Sequence, residues 1–189
     1  MPFVLQEIIK QIQKGDKNAF RMLVEKYQQT AFRLAFRMLG DENEARDVVQ
    51  DSFIRIWEKI DTYNENEKFT SWMYRIVSNR AIDSLRAIKR RSGISLEKLH
   101  PGKLETGESG ADIILENQEA GELIRFISCG LPEKQQLVFS LRDLQEFSSQ
   151  EVQEITGMTE DAIKSNLYHA RKAVRDRLAP ILSFERKLS

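Results

Sequence analysis

The sequence feature that most constrains the fold is a run of apolar residues at helical spacing near the N-terminus. An apolar side chain recurs every three or four positions, at Phe20, Leu23, Val24, Tyr27, Ala31, Leu34, Ala35 and Met38. This spacing predicts one apolar face of a long helix. Gly15 ends a short helix before it, Asp16 can cap its start, and Gly40 ends it. With only nine Gly and four Pro in 189 residues, an all-α fold is favoured over a turn-rich β-sandwich.

A second helix follows with a new cap. Asp41, with Glu44 three residues later, resembles a capping box. The helix it starts runs to about Ile60, and its apolar positions are Ala45, Val48, Val49, Phe53, Ile56 and Trp57. The polar stretch 61–68 predicts a loop, and the next helix starts near Phe69.

The third long helix changes phase along its length. Its first apolar stripe comprises Phe69, Trp72, Met73 and Ile76. Arg80 stands where the stripe should continue. The apolar pattern resumes at Ile82, Leu85 and Ile88. Counted at about 100° per residue, these residues lie more than 90° around the helix axis from the first stripe. Because a straight helix cannot bury both sets on one partner, we expect a break or sharp rotation at residues 78–80.

A glycine-rich segment divides the chain. Residues 92–111 contain Gly93, Gly102, Gly107, Gly110 and Pro101, which is typical of a linker. The sequence therefore predicts two small helical domains, residues 1–91 and 112–189, joined by a flexible linker over 92–111. In the second domain, helices are expected at about 112–129, 132–145, 148–156 and 160–178.

The last third of the chain has the pattern of a helix-turn-helix. Ser148 and Glu151 form a capping box that opens a short helix, and Gly157 to Thr159 make a three-residue turn. The next helix has one apolar face, made of Ile163, Leu167, Ala170, Val174 and Leu178. Its other face is polar and basic. Such a hairpin places its second helix in the DNA major groove, although hairpins of this kind also occur as plain packing units.

Charge is unevenly distributed although the formal net charge is zero. Two segments are basic, residues 72–91 and 164–177, and two are acidic, residues 41–61 and 105–122. This alternation suggests two contacts with a polyanion and a separate surface for another partner. The alternative for each segment is a solvated helix face.

Several functional classes are disfavoured by residue usage. A single cysteine, Cys129, excludes a disulfide framework and a thiolate zinc cluster. His100 and His169 have no second ligand at metal spacing, so neither a metal nor a cofactor is expected. The sequence lacks an apolar run of 18 or more residues and a signal-peptide pattern. We therefore expect a cytoplasmic protein with no direct membrane insertion that is not an enzyme.

Three segments together resemble the RNA polymerase sigma-70 family, in its compact extracytoplasmic-function (ECF) group. Residues 15–60 are similar to the start of sigma region two, residues 69–91 to its promoter-reading end, and residues 131–178 to sigma region four. The linker shows no such similarity. The resemblance implies a sigma factor that binds core RNA polymerase and directs promoter-specific transcription initiation at the minus-ten and minus-thirty-five elements.

The resemblance also implies which residues of region two bind the polymerase and the minus-ten DNA. The polymerase clamp coiled coil would contact the second main helix at Asp47, Gln50, Asp51 and Ile54. The minus-ten element would be opened and a flipped base captured by Trp72, Asn79, Asp83 and Arg86. An amide such as that of Asn79 has the paired donor and acceptor that suit a base edge. Lys89, Arg90 and Arg91 would hold the backbone. For Trp72, packing in the core is the alternative.

Region four would read the minus-thirty-five element through the second helix of the hairpin. Its DNA-facing residues would be Asp161, Lys164, Ser165, Tyr168, His169, Arg171 and Lys172. The family commonly has arginine at two positions where this chain has Asn166 and His169, which suggests an altered sequence preference. Family membership also implies an anti-sigma factor as a partner.

Two other function classes compete with the sigma factor. An ordinary helix-turn-helix regulator with an N-terminal sensor or dimerisation half would not need the basic segment 72–91. A helical RNA-binding phosphohydrolase would need His and Asp clusters, which the sequence lacks.

Overall fold

The computed structural model of the protein describes residues 2–92 and 131–188, and all regular structure within these ranges is helical. The first range forms α1 to α4, and the second forms α5, a short π-helix, α6 and α7. Their bounds are α1 Pro2–Gln13, α2 Lys17–Leu39, α3 Glu42–Lys59, a 3-10 turn Ile60–Thr62, α4 Phe69–Ser92, α5 Glu133–Phe139, the π-helix Ser140–Leu144, α6 Ser149–Thr156 and α7 Glu160–Leu188.

The ends of α2 and α3 are set by local side-chain and backbone chemistry, as predicted. The Asp16 carboxylate accepts hydrogen bonds from the backbone N–H groups of Asn18 (2.8 Å) and Ala19 (3.2 Å). Gly40 ends α2 at φ 65°, a left-handed conformation that glycine adopts without a steric penalty. Asp41 then accepts from the Glu44 N–H at 3.0 Å and caps α3. Only Gly40 and Asp41 separate the two helices.

The core of the first half lies between α2, α3 and α4. Each helix contributes side chains that are almost fully buried, among them Leu23, Ala31, Leu34 and Ala35 of α2, Ala45, Val48 and Ile56 of α3, and Met73, Val77 and Ala81 of α4. The apolar periodicity of residues 20–38 is therefore an interior helix face. Phe20 is half-buried and packs edge-on against Trp57, with ring centroids 5.0 Å apart.

The predicted break at residues 78–80 is wrong, because α4 is one continuous helix from Phe69 to Ser92. Its buried residues move gradually round the axis through Met73, Val77, Ala81 and Leu85. Tyr74 and Ser78 are buried on a further side, where the second half of the chain covers α4. The helix thus has partners on two sides. The prediction assumed a single partner, and under that assumption the change of phase required a break.

The second half confirms the helix-turn-helix and adds an irregular segment before it. The Ser148–Glu151 capping box is complete, and Gly157 ends α6 at φ 70°. The helix predicted over 132–145 is α5 followed by a π-helix, and Glu146 after it has φ 60°. The final helix extends to Leu188, beyond the predicted residue 178.

The predicted linker 92–111 lies, from residue 93 on, outside the described residues, as does the helix predicted at about 112–129. The domain boundaries therefore stay a prediction. Within the described ranges the two halves pack together, since α4 contacts both α5 and α6, and α2 contacts the π-helix.

Candidate functional site

One face of α4 carries exposed polar and charged residues at helical spacing. Asn79, Asp83, Arg86 and Arg90 follow one another at intervals of four, three and four residues, so they lie along one side of the helix. All four are exposed. Arg86 lies 3.8 Å from the Asp83 carboxylate. We call this set the α4 polar face; it gathers four of the seven residues predicted for minus-ten DNA.

Trp72 lies two helical turns before Asn79 on the same side of α4, but it is buried in the core. Its exposed fraction is 8%, and its ring centroid is 5.5 Å from that of Tyr63 and 5.8 Å from that of Phe69. The core-packing alternative for Trp72 is thus what the structure shows. The aromatic cluster supports the loop that leads into α4.

The remaining two predicted minus-ten residues point elsewhere. The Lys89 ammonium donates to the backbone carbonyl of Leu131 at 3.3 Å, toward the second half of the chain. Arg91 pairs with Glu44 at 2.8 Å, toward the start of α3. Both cations are therefore engaged by the protein itself.

A groove between α2 and α3 provides a second candidate surface. Its volume is about 930 Å³, and its apolar lining is Phe20, Val24, Phe32, Val49, Phe53 and Trp57. Gln50 and Ile54 lie on its α3 wall, and 49% of Ile54 is exposed. Asp47 is also exposed on α3. Three of the four predicted polymerase-binding residues are thus accessible near this groove.

Asp51, the fourth, has a partner that the sequence analysis missed. Arg80 of α4 donates to its Oδ2 through both Nε (3.1 Å) and Nη2. The two residues are 29 positions apart, so no local pattern could have indicated the contact. Asp51 is half exposed and also joins α3 to α4.

The recognition helix α7 presents its predicted DNA-facing residues to solvent. The Thr159 hydroxyl accepts from the Ala162 N–H at 3.3 Å and caps the helix. Ile163, Leu167 and Ala170 are buried against the rest of the hairpin. The opposite side is exposed at every predicted position, namely Asp161, Lys164, Ser165, Tyr168, His169, Arg171 and Lys172.

Contacts on this helix modify what several of these side chains offer to DNA. Arg171 donates two hydrogen bonds, each 2.7 Å long, to the Asp143 carboxylate. These bonds raise the pKa of the Arg171 guanidinium. Lys164 pairs with Glu160 at 2.8 Å, and this pairing raises the pKa of the lysine and lowers that of the glutamate. The Asn166 amide donates to the Ala162 carbonyl at 2.7 Å, so it is bound to its own helix.

Tyr168 and His169 are two neighbouring, exposed aromatic residues on α7. Tyr168 is 66% exposed, and its ring contacts that of His169 edge-on, with centroids 5.4 Å apart. A tyrosine ring and an imidazole side by side give this part of the recognition helix both apolar area and a hydrogen-bonding edge.

Comparison with known families assigns both halves. Residues 23–91 match the model of Sigma-70 region 2, and residues 122–174 match that of Sigma-70, region 4. The two matches together span more than half of the chain. The chain belongs to the sigma-70 family. Within region two lie the groove and the α4 polar face, and within region four lies the helix-turn-helix.

Curated relatives place this sigma factor in the ECF group. It is 32% identical over 184 residues to the ECF RNA polymerase sigma factor SigW of Bacillus subtilis, covering 94% of this chain and 98% of the relative. It is 27% identical over 183 residues to the ECF RNA polymerase sigma-E factor of Escherichia coli K12, covering 94% and 95%. These matches confirm the resemblance seen in the sequence.

Solved structures of similar fold include two complexes. CnrH bound to the cytosolic domain of CnrY aligns with a TM-score of 0.57 and 22% identity, over 92% of this chain and 96% of that one. The sigma factor RpoE bound to the anti-sigma factor NepR, from Bartonella quintana, aligns with a TM-score of 0.61 and 20% identity, over 85% and 96%. Both show the same all-α fold. In this sigma factor the described helices include none that is long and apolar enough to cross a bilayer.

Proposed function

We propose that this ECF sigma factor docks on core RNA polymerase through the groove between α2 and α3. An exposed apolar side chain beside acidic and amide groups suits a helical partner with basic residues. Ile54 supplies the exposed apolar contact, and Asp47 and Gln50 supply polar contacts on the same helix. Asp51 contributes charge to this surface while it is held by Arg80. The partner implied by the family is the clamp coiled coil of the polymerase.

The α4 polar face is proposed to engage the minus-ten element. Asn79 is uncharged and exposed among charged neighbours, and its amide can pair with a base edge that has been turned out of the stack. Arg86 and Arg90 on the same side can neutralise phosphates. Trp72, buried below this face, is proposed to support the loop rather than to touch DNA.

The exposed side of α7 is proposed to read the minus-thirty-five element. Its N-terminal half enters the major groove in a helix-turn-helix, so Lys164, Ser165 and Tyr168 lie nearest the base edges. Lys172 is placed one helical turn further on, where backbone contacts occur. The two hydrogen bonds from Arg171 to Asp143 are proposed to fix the orientation of α7. Arg171 is also proposed to contact DNA.

Together these surfaces make a subunit that directs promoter-specific transcription initiation. We propose that it acts without catalytic chemistry of its own, in the cytoplasm, and that an anti-sigma factor binds it. The observation that supports the proposal is the presence, in one chain, of an exposed polar face on α4, an exposed face of α7 in a helix-turn-helix and an apolar groove between α2 and α3.

Run-off transcription with bacterial core polymerase tests the proposal. Core polymerase supplemented with this protein is expected to select promoters from a library that core polymerase alone does not use. Ile54→Arg should abolish the transcripts and the co-purification of polymerase. Glu7→Lys, a charge change on the exposed side of α1, should leave both unchanged.

The helix-turn-helix regulator is the competing function, and the same assay separates the two. A regulator would bind duplex DNA but would neither co-purify with core polymerase nor change which promoters it uses. Duplex binding without any polymerase association would therefore overturn the sigma-factor proposal.

A further inference from the structure

We propose that Arg80 is a positioning residue for polymerase docking, which holds the Asp51 carboxylate so that its Oδ1 atom is presented to a basic side chain of the polymerase. The inference rests on the proposed function, because it concerns the same docking surface of α3. It adds a residue of α4 to a surface that was assigned to α3 alone. Arg80 acts through Asp51 and does not itself contact the polymerase.

The distribution of hydrogen bonds over the two carboxylate oxygens carries the inference. Both bonds from Arg80, through Nε at 3.1 Å and through Nη2, end on Oδ2 of Asp51. An ionised carboxylate has about two acceptor positions on each oxygen, so these two donors fill Oδ2. Within residues 2–92 and 131–188, no group donates to Oδ1. Because 44% of the Asp51 side chain is exposed, Oδ1 is the oxygen that remains for a partner.

Asp51 lies at one edge of the exposed ridge of α3 that is proposed to meet the polymerase. Counted at about 100° per residue, the four ridge residues lie within an arc of about 100°, and they are Asp47, Gln50, Asp51 and Ile54. Gln50 and Ile54 line the groove toward α2, whereas Asp51 is reached from α4 by Arg80. The ion pair therefore acts on the docking surface from the side opposite the groove.

The backbone on both sides of this ion pair is fixed by core packing. Val77 and Ala81, close to Arg80 on α4, are fully buried, and so is Ser52, which follows Asp51 on α3. The freedom that remains lies in the two side chains, and the hydrogen bonds to Oδ2 restrict the rotation of the Asp51 carboxylate. A side chain that is already ordered loses less conformational entropy when a partner binds.

The ion pair is not needed to hold α3 against α4. Glu44, near the start of α3, makes a second set of contacts with α4, since it accepts from the Ser84 hydroxyl at 3.0 Å and from Arg91 at 2.8 Å. The two helices also share the buried core. Because a partly exposed ion pair adds little to stability, the hold on Asp51 explains the position of Arg80 better than a contribution to the fold does.

Lysine cannot reproduce this hold. The arginine side chain directs two N–H groups of a rigid planar guanidinium at one oxygen, whereas lysine has a single ammonium on a flexible stem. Arg80→Lys therefore keeps the positive charge beside Asp51 and removes the two-point contact. A purely electrostatic role of Arg80 predicts unchanged polymerase affinity for this variant, and the positioning role predicts a loss.

Binding of the full chain to immobilised bacterial core polymerase, measured at several salt concentrations, tests the proposal. We expect Arg80→Lys to raise the dissociation constant about two- to tenfold, which corresponds to the cost of ordering one free side chain at an interface. The dependence of affinity on salt should keep its wild-type slope, because the variant has lost no charge. Circular dichroism and urea unfolding verify that the variant is folded.

A double-mutant cycle with Asp51→Ala shows whether Arg80 acts through Asp51. Asp51→Ala removes the carboxylate, so it should weaken polymerase binding and reduce the salt dependence. Adding Arg80→Lys to Asp51→Ala should then cause no further loss of affinity. An equal loss for Arg80→Lys with and without the Asp51 carboxylate would overturn the positioning role, and so would wild-type affinity in Arg80→Lys alone.

Arg21 provides a matched control. Its Nε donates to the Glu25 carboxylate at 2.9 Å in an exposed ion pair on α2, and the lining of the groove includes neither residue. Arg21→Lys makes the same substitution in the same kind of contact and should leave the polymerase affinity unchanged. A loss as large as that of Arg80→Lys would mean that the effect is not specific to Asp51, which would also overturn the proposal.

The wild type and Ile54→Arg keep this proposal apart from the proposed function. If the wild type binds core polymerase, Ile54→Arg abolishes binding and Arg80→Lys changes nothing, the positioning role fails and the docking surface stands. If the wild type does not bind core polymerase at all, the proposed function fails and the positioning role fails with it.

Discussion

Both hydrogen bonds from the Arg80 guanidinium end on one carboxylate oxygen of Asp51, joining the helix proposed to read DNA to the helix proposed to bind polymerase. Arg80 is the direct neighbour of Asn79 in the sequence. Asp51 is one helical turn from Asp47 and Ile54. A charge change at Asp51 therefore affects two features, the acidic surface and the bridge between α3 and α4.

A charge swap separates these two roles of Asp51. Asp51→Arg should weaken polymerase binding and lower the free energy of unfolding by about 0.2–1 kcal/mol, the range of a partly exposed ion pair. Adding Arg80→Asp should restore the stability but not the polymerase affinity. Urea unfolding and a polymerase pull-down measure the two effects. Recovery of polymerase binding in the double variant would show that Asp51 acts only through Arg80.

Asn79 and Arg90 both lie on the α4 polar face, but their substitution by alanine should change DNA binding in different ways. Asn79→Ala removes no charge, so it should reduce promoter selectivity while leaving the salt dependence of DNA binding unchanged. Arg90→Ala should reduce the slope of log affinity against log salt by about 0.7–0.9 for each lost phosphate contact. Titrations of promoter and random DNA at several salt concentrations test both. Equal losses on the two DNAs for Asn79→Ala would contradict base reading.

His169 stands where arginine is common in this family. His169→Arg adds a permanent charge on the exposed side of α7, so the variant should bind minus-thirty-five duplex more tightly and with a steeper salt dependence. Duplex titration of the full-length protein measures this. Glu7→Gln makes the net charge one unit more positive at an exposed position of α1 and serves as the control. Unchanged affinity in His169→Arg would mean that this position does not approach DNA.

The capping box of α6 should make stability depend on pH. Hydrogen bonds from the backbone N–H and hydroxyl of Ser148 lower the pKa of Glu151. Its contribution is therefore present above the unfolded pKa of about 4.3 and is lost as the pH falls through the lower folded value. Ser148→Ala should cost about 1 kcal/mol at neutral pH.

Urea unfolding at a series of pH values checks this prediction. The stability difference between the wild type and Glu151→Gln should be largest at neutral pH and shrink below about pH 4. Glu7→Gln makes the same chemical change at an exposed site and should show a smaller difference. A difference for Glu151→Gln that stays constant from pH 7 to pH 3 would argue against the capping role.

Features made by neighbouring residues could be predicted from the sequence. Asp16, Gly40, Ser148 and Gly157 act within four residues of themselves, so spacing alone indicated the ends of α2 and α6. The exposed side of α7 followed in the same way from helical periodicity. The order of the three family-like segments then indicated the function.

Features that depend on packing between helices could not be predicted in this way. The ion pairs Arg80–Asp51 and Arg171–Asp143 join residues 29 and 28 positions apart. Tyr74 was an unassigned aromatic in the sequence, and its burial depends on the second half of the chain. The continuity of α4 has the same origin, since its second packing partner comes from residues beyond 130.

The two-residue connection between α2 and α3 has a consequence for how the gene can vary. Gly40 is the C-cap of α2 and Asp41 is the N-cap of α3, so both residues of the turn have a capping role. A codon inserted into α3 just after its first turn would rotate the rest of that helix by about 100° about its axis. Gln50 and Ile54 would then leave the groove wall, and Val48 and Ile56 would leave the core at the same time. Length changes at this point should therefore be absent from working homologues, even where substitutions are frequent.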